Sequence, residues 1–195
     1  QANTQTVMDT GVPEIRFAID AVRQAAVVTR EVYTELTRSA LTKKDRSPVT
    51  VADFAAQAIV AYLLGKTFPH DPLVAEENSA VLKTYPGETT LTQVTEFVSR
   101  RIGSVDRESV CEWIDRGMAQ PTGRFWTLDP VDGTKGFLRG GQWAVALALI
   151  VEGQVEVGVL GCPHLKECSP AVEGPGFLLV AVRGEGSWVA PLQGE

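Results

Sequence analysis

Apolar residues between Pro13 and Leu36 recur at the spacing of one helical face. Ile15, Ala18, Ile19, Val22, Ala26 and Val32 form a stripe among charged and polar positions, and Pro13 suits a first helical turn. The stretch from about Arg38 to Pro48 breaks the pattern and predicts a mobile loop. Ala52 to Leu64 restores it as a second helix closed by Gly65, with Ala55, Ile59, Tyr62 and Leu63 facing inward. The triplet Leu73-Val74-Ala75 reads as a short strand. Thr90 to Ile102 predicts a third helix ending at Gly103, and Arg107 to Ile114 a shorter fourth.

From Phe125 onward the period becomes that of strands. Trp143, Val145, Leu147, Leu149 and Val151 alternate with small residues, and Glu152-Gly153-Gln154 turns the chain into a strand from Val155 to Leu160. Phe177 to Val182, the turn Gly184-Glu185-Gly186 and Trp188 to Ala190 continue an antiparallel meander, while Glu167 to Gly176, rich in proline and glycine, predicts a surface loop. Helices first and hairpins later indicate an α+β fold.

A chain of 195 residues with 44% hydrophobic content is long enough to bury one sizeable core. Its net charge of −6 argues against a nucleic-acid polymer as partner, because such binding rests on cations that release counterions. A small anion held through a metal is compatible with it. The longest uninterrupted apolar run, Trp143 to Val151, falls far short of the ~20 residues of a membrane span, so no membrane is expected. The first residues, Gln1 to Val7, have neither the basic start nor the apolar core of a signal peptide. Cys111, Cys162 and Cys168 are odd in number and fit no zinc spacing, which favours a reducing, cytoplasmic compartment; a transit peptide already removed would leave no trace. His70 and His164 stand beside Pro69 and Pro163 and read as loop histidines without a catalytic role.

The chemistry concentrates in Trp126-Thr-Leu-Asp129-Pro-Val-Asp132-Gly133-Thr134-Lys-Gly-Phe137. An apolar strand ends in two carboxylates, a Gly-Thr turn and a helix start. Two acids three residues apart can converge on one divalent cation, and carboxylates and carbonyls are the hard oxygen ligands that Mg²⁺ takes. Amides of Gly133 and Thr134 at a helix start would suit a phosphate. Asp-Pro and Asp-Gly are also ordinary turn formers, so this segment alone leaves a plain turn open. Two further segments weigh against that reading. Val74-Ala75-Glu76-Glu77-Asn78-Ser79 again delivers acids at a strand end, and adjacent glutamates call for a cation or for water around them. Ser47-Pro48-Val49-Thr50-Val51-Ala52-Asp53 places an acid beside a helix start, where the helix dipole favours it.

These three segments, in this order, resemble the lithium-sensitive, Mg²⁺-dependent phosphatases of the inositol monophosphatase superfamily. The extension Lys135-Gly-Phe-Leu-Arg139-Gly-Gly-Gln142 and the later Gly161-Cys-Pro163 are similar to its 3'(2'),5'-bisphosphate nucleotidase branch. Ala75 departs from the pattern, which usually has glycine before the two glutamates. The resemblance implies a layered sugar-phosphatase-type fold whose N-terminal domain packs a largely antiparallel sheet against two long helices. It also implies that residues 1–195 are that metal-binding domain. A C-terminal nucleotide-binding domain, with a Trp-Asp motif completing the metal site, would then be absent here or carried on a second chain.

By the same resemblance, Glu76, Asp129 and the Val131 carbonyl hold one Mg²⁺, Asp129 bridges to a second ion held with Asp132, and Glu77 serves a third, weaker ion. Asp53 and Thr134 orient the attacking water, and Gly133 and Thr134 receive the phosphate. The implied reaction is hydrolysis of the 3′-phosphate of adenosine 3′,5′-bisphosphate, or of its sulfated relative, with AMP and phosphate as products of the former. An inositol or sugar phosphate as substrate, and a non-catalytic metal- or anion-binding role, remain the alternatives.

Overall fold

Residues 12–40, 48–167 and 175–193 are described by the computed structural model. The apolar stripe becomes α1 (Pro13–Ala40), and all six of its predicted residues are buried. This helix runs past Arg38, where a loop was expected, since no glycine or proline interrupts it there and an established helix propagates at little cost. The rest of that expected loop, residues 41–47, lies outside the described residues, as does most of the surface loop expected from Glu167 to Gly176.

The second helix, α2 (Pro48–Thr67), starts four residues before the predicted Ala52 and passes through Gly65 instead of stopping there. Pro48 fits a first helical position, where its missing N–H costs nothing. Gly65 lies beneath Arg116: an added Cβ would meet the guanidinium Nη1 at 2.9 Å. The Arg116 Nη2 donates to the carbonyls of Phe68 and Pro69, at 3.3 and 2.9 Å, where the chain leaves the helix. Nor does α2 have a single inward face. Val51, Ala52, Phe54 and Val60 are buried along with Ala55 and Ile59, whereas Tyr62 and Leu63 are only half-buried. It packs against α1, against α3 (Glu88–Ile102) and α4 (Arg107–Asp115), and against the sheet. By length and composition α2 could cross a membrane, which the search for long apolar runs passed over. Yet 72% of its most apolar window is buried inside the fold, so its side chains belong to the core.

The sheet has six strands in sequence order: β1 (Leu73–Ala75), β2 (Arg124–Asp132), β3 (Ala144–Val151), β4 (Gln154–Cys162), β5 (Phe177–Val182) and β6 (Gly186–Pro191). Neighbours are antiparallel except β1 and β2, which run parallel because the chain returns through α3 and α4 between them. Val145, Leu147 and Leu149 of β3, with Val157 and Val159 of β4, are buried in the core, where both strands pack against α1. At Gly161 of β4, α1 comes so close that an added Cβ would lie 2.7 Å from Ala26 Cβ. The opposite face of the sheet is small and apolar (Ala146, Ala148, Gly158, Leu160, Leu179) and floors a cavity of about 410 Å³ with Asp129 among its lining residues.

Candidate metal and phosphate site

Parallel pairing of β1 with β2 brings the first two acidic segments together. Val74 pairs with Thr127 and Ala75 with Leu128, so each strand's next residue, Glu76 or Asp129, emerges at the same edge. Along β2, side chains three apart would point to opposite faces of a regular strand. Here Asp129 pairs with Ala146 and Asp132 with Ala144, three residues against two, and this β-bulge adds the residue that returns Asp132 to the face of Asp129. Between them Val131 turns its side chain into the core at 3% exposure.

After Asp132 the chain turns at Gly133, whose φ of 93° is natural only to glycine, and enters α5 (Thr134–Leu138). The first-turn amides of such a helix have no intrahelical partners. Because α5 has only five residues, those N–H donors, more than any macrodipole, would serve an anion. The turn is braced from behind: an added Cβ on Gly136 would sit 1.8 Å from the Gln142 carbonyl oxygen. His164, expected as an ordinary loop residue, stacks at 4.2 Å between ring centroids on Trp143, and its Nδ1 lies 3.2 Å from the Gly141 carbonyl oxygen.

Asp53 is not a first-turn acid. With α2 beginning at Pro48 it falls in the second turn, beyond the reach of the dipole's terminal charge, and faces the other acids half-buried. Burial, then Glu77, Asp129 and Glu76, push its carboxyl up to about 8. Asp129 is also raised, first by burial and then by Asp132 and Glu76, with a hydrogen bond from the Val131 backbone pulling the other way. Glu77 is raised by burial and by Glu76. All five carboxylates therefore share one field. Among the described residues no ion pair reaches any of them.

Crowded, uncompensated carboxylates are the donor set that a hard divalent cation matches in kind. Their oxygens do not yet close on a point: among the described residues no three His, Cys, Asp or Glu side chains form a metal-holding group. Asp53 and Thr134, which the resemblance gives a shared role in orienting water, are not hydrogen-bonded to each other, and Thr134 is exposed.

Two positioning side chains escaped the sequence reading. Gln57, fully buried one turn beyond Asp53, accepts from the Glu77 N–H at 3.0 Å and donates to the Glu77 carbonyl at 2.7 Å and to the Ile114 carbonyl at 2.8 Å. Asp115 at the end of α4 accepts from the Ser79 N–H at Oδ1 and from its hydroxyl at Oδ2, at 2.7 and 2.6 Å, and Lys83 Nζ lies 3.3 Å from the same Oδ2. Both ends of the acidic loop are thus tied to helices. For Gln57 there was a signal, a lone amide within the apolar run Phe54 to Ala61; for Asp115 there was none.

The family model described as "Inositol monophosphatase family" matches residues 12–191. The 3'(2'),5'-bisphosphate nucleotidase of Schizosaccharomyces pombe is 40% identical over 201 residues, covering 93% of this chain and 56% of its own. The probable 3'(2'),5'-bisphosphate nucleotidase 4 of Arabidopsis thaliana is 40% identical over 195 residues, with the same two coverages of 93% and 56%. The chain spans about half the length of these curated relatives. Among solved structures, CysQ from Bacteroides thetaiotaomicron superposes with a TM-score of 0.56 at 24% identity, over 92% of this chain and 50% of that one. The inositol monophosphatase from Anabaena does so with a TM-score of 0.51 at 20% identity, over 97% and 50%. Likenesses of this order speak for the fold alone.

Proposed function

The chain belongs to the inositol monophosphatase family, and from that premise we propose that the protein containing it hydrolyses the 3′-phosphate of adenosine 3′,5′-bisphosphate, or of its 5′-phosphosulfate, using Mg²⁺. The family is enzymatic and generally metal-dependent. One observation carries the reading: five carboxylates from α2, the β1 loop and the β2 bulge share one field beside an anion-suited turn, with no ion pair among the described residues to neutralise them. The nucleotide choice rests on relatives at 40% identity that carry the bisphosphate nucleotidase name.

In this reading Glu76, Asp129 and the Val131 carbonyl would hold one cation, Asp129 and Asp132 a second, and Glu77 a third. A divalent cation there would supply a Lewis acid that makes water acidic enough to attack near neutral pH. The rest of the work falls to the chain itself. Asp53 and the Thr134 hydroxyl orient the attacking water. Amides at Gly133 and Thr134 receive the phosphate oxygens. Lys135 and Arg139, both exposed on α5 or just after it, add positive charge beside the turn for an anionic substrate. The cytoplasm suits three cysteines without a paired spacing.

Phosphate release by the full-length protein, measured with Mg²⁺ on adenosine 3′,5′-bisphosphate and on inositol monophosphate, tests both parts. The nucleotide should be the better substrate by kcat/KM, Li⁺ should inhibit, and Asp129→Asn should lower turnover by orders of magnitude while leaving the fold intact. Preference for the inositol ester would reassign the substrate. Near-normal Mg²⁺-dependent activity in Asp129→Asn would refute the site.

A further inference from the structure

We infer that Gln57 is a positioning residue for the metal site: its carboxamide sets where the Glu76–Glu77 carboxylates stand relative to Asp53 and Asp129, and so governs how tightly the site binds a cation. The inference rests on the reading of Glu76 and Asp129 as metal ligands. Glu76 is exposed and its loop is irregular, while Asp53, Asp129 and Glu77 all repel it. Without a tether that loop would swing outward.

Gln57 supplies the tether in the manner of one rung of a β-ladder. Its carbonyl accepts from the Glu77 N–H at 3.0 Å, and its NH₂ returns a bond to the Glu77 carbonyl at 2.7 Å. The second NH₂ hydrogen goes to the Ile114 carbonyl at 2.8 Å, which fixes the amide plane and decides which end is oxygen. The side chain is fully buried, so no water can substitute for it. Gly117 leaves the room: a Cβ there would lie 2.5 Å from the Gln57 Nε2 and 2.9 Å from Ala75 Cβ. Four residues apart on one helix, Asp53 and Gln57 lie on the same side about 6 Å apart along the axis. A single rigid element thus presents one acid, Asp53, and holds the backbone of another, Glu77, whose chain neighbour is Glu76. Gln57 touches neither the cation nor the substrate in this arrangement. Outer groups that orient metal ligands typically change affinity by about 10–100-fold when removed.

The test is cation binding by the full-length protein without substrate, followed by Mn²⁺ electron paramagnetic resonance and by Mg²⁺ calorimetry. Gln57→Leu keeps the volume and removes all three bonds; its Kd should weaken by about 10–100-fold. Leu64→Ala, a cavity in the same helix away from the site, should lose stability without moving Kd. Glu76→Gln should weaken binding in its own right. If Glu76→Gln weakens binding and Gln57→Leu does not, Gln57 is a core residue only. If Leu64→Ala shifts Kd as far as Gln57→Leu does, the effect is general destabilisation and the inference also fails. An unchanged Kd in Glu76→Gln overturns the metal-ligand reading and this inference with it. Should Gln57→Leu not fold, Gln57→Asn, one methylene too short to reach both Glu77 groups, should show a smaller shift in the same direction, and no shift would count equally against the inference.

Discussion

Asp53 holds its proton unusually well in the metal-free chain. Its carboxyl stands at about 8, raised first by burial and then by Glu77, Asp129 and Glu76. An acid whose folded-state value lies above its unfolded value binds more protons folded than unfolded between the two, so stability declines as pH rises through that window. The melting temperature of metal-free protein should therefore fall between about pH 4 and pH 8. Glu77 and Asp129 add to the slope with the same sign. Asp53→Asn should flatten it; an identical slope in that variant would mean that Asp53 is not the group titrating. Thr134 allows a separate test, because valine keeps its size and removes only the hydroxyl. In the full-length enzyme Thr134→Val should lower kcat by about 10²-fold or more with Mg²⁺ and substrate binding retained, the scale of a lost proton-transfer partner. An unchanged kcat, or a defect cured by raising Mg²⁺, would make Thr134 a turn residue or a support of the metal site.

Among the elements, the β2 bulge and the turn into α5 do the most to shape the site. The bulge turns an i, i+3 pair of acids onto one face, and the turn holds because Gly136 lies against the Gln142 carbonyl, leaving no space for a side chain. Gly136→Ala must push backbone aside and should cost about 1–3 kcal/mol, on the scale of overpacking in a tight site. A lower urea midpoint, with activity lost even where the protein is fully folded, is the expected result. A midpoint like that of the parent protein would show that the turn yields easily. Asp129, Asp132 and Gly133 were legible in the sequence as chemistry. The parity change between the acids was not, since a bulge is defined only by the strand across from it.

At the scale of the whole molecule, two long helices pack on one face of the sheet. At Gly161 of β4, α1 comes close, with Ala26 Cβ and Val22 Cγ1 at 2.7 and 2.8 Å from where a Cβ would stand. Gly161→Val should force the helix outward and destabilise the protein by about 1–3 kcal/mol. Below its unfolding transition the variant should keep the metal affinity of the parent protein, because the acids come from α2, β1 and β2. A large loss of metal affinity in a fully folded variant would show that α1 packing is transmitted to the site.

Local periodicity was enough to place four helices and the strand meander, because a 3.6-residue or a two-residue repeat is written in neighbouring side chains and needs nothing distant. The C-terminal end of α2 was missed: the helix passes through Gly65, over which Arg116 lies from just beyond α4. Residue type and order likewise announced Asp53, Glu76, Glu77, Asp129 and Asp132 as one site. Their meeting depends on the parallel pairing of β1 with β2 and on the hold that Gln57 and Asp115 keep on the loop between. Hydrogen bonds across 20 and 36 residues of chain leave no local pattern. Residue chemistry was therefore readable in one dimension, while the orientation of that chemistry was decided only where distant backbone and buried amides met.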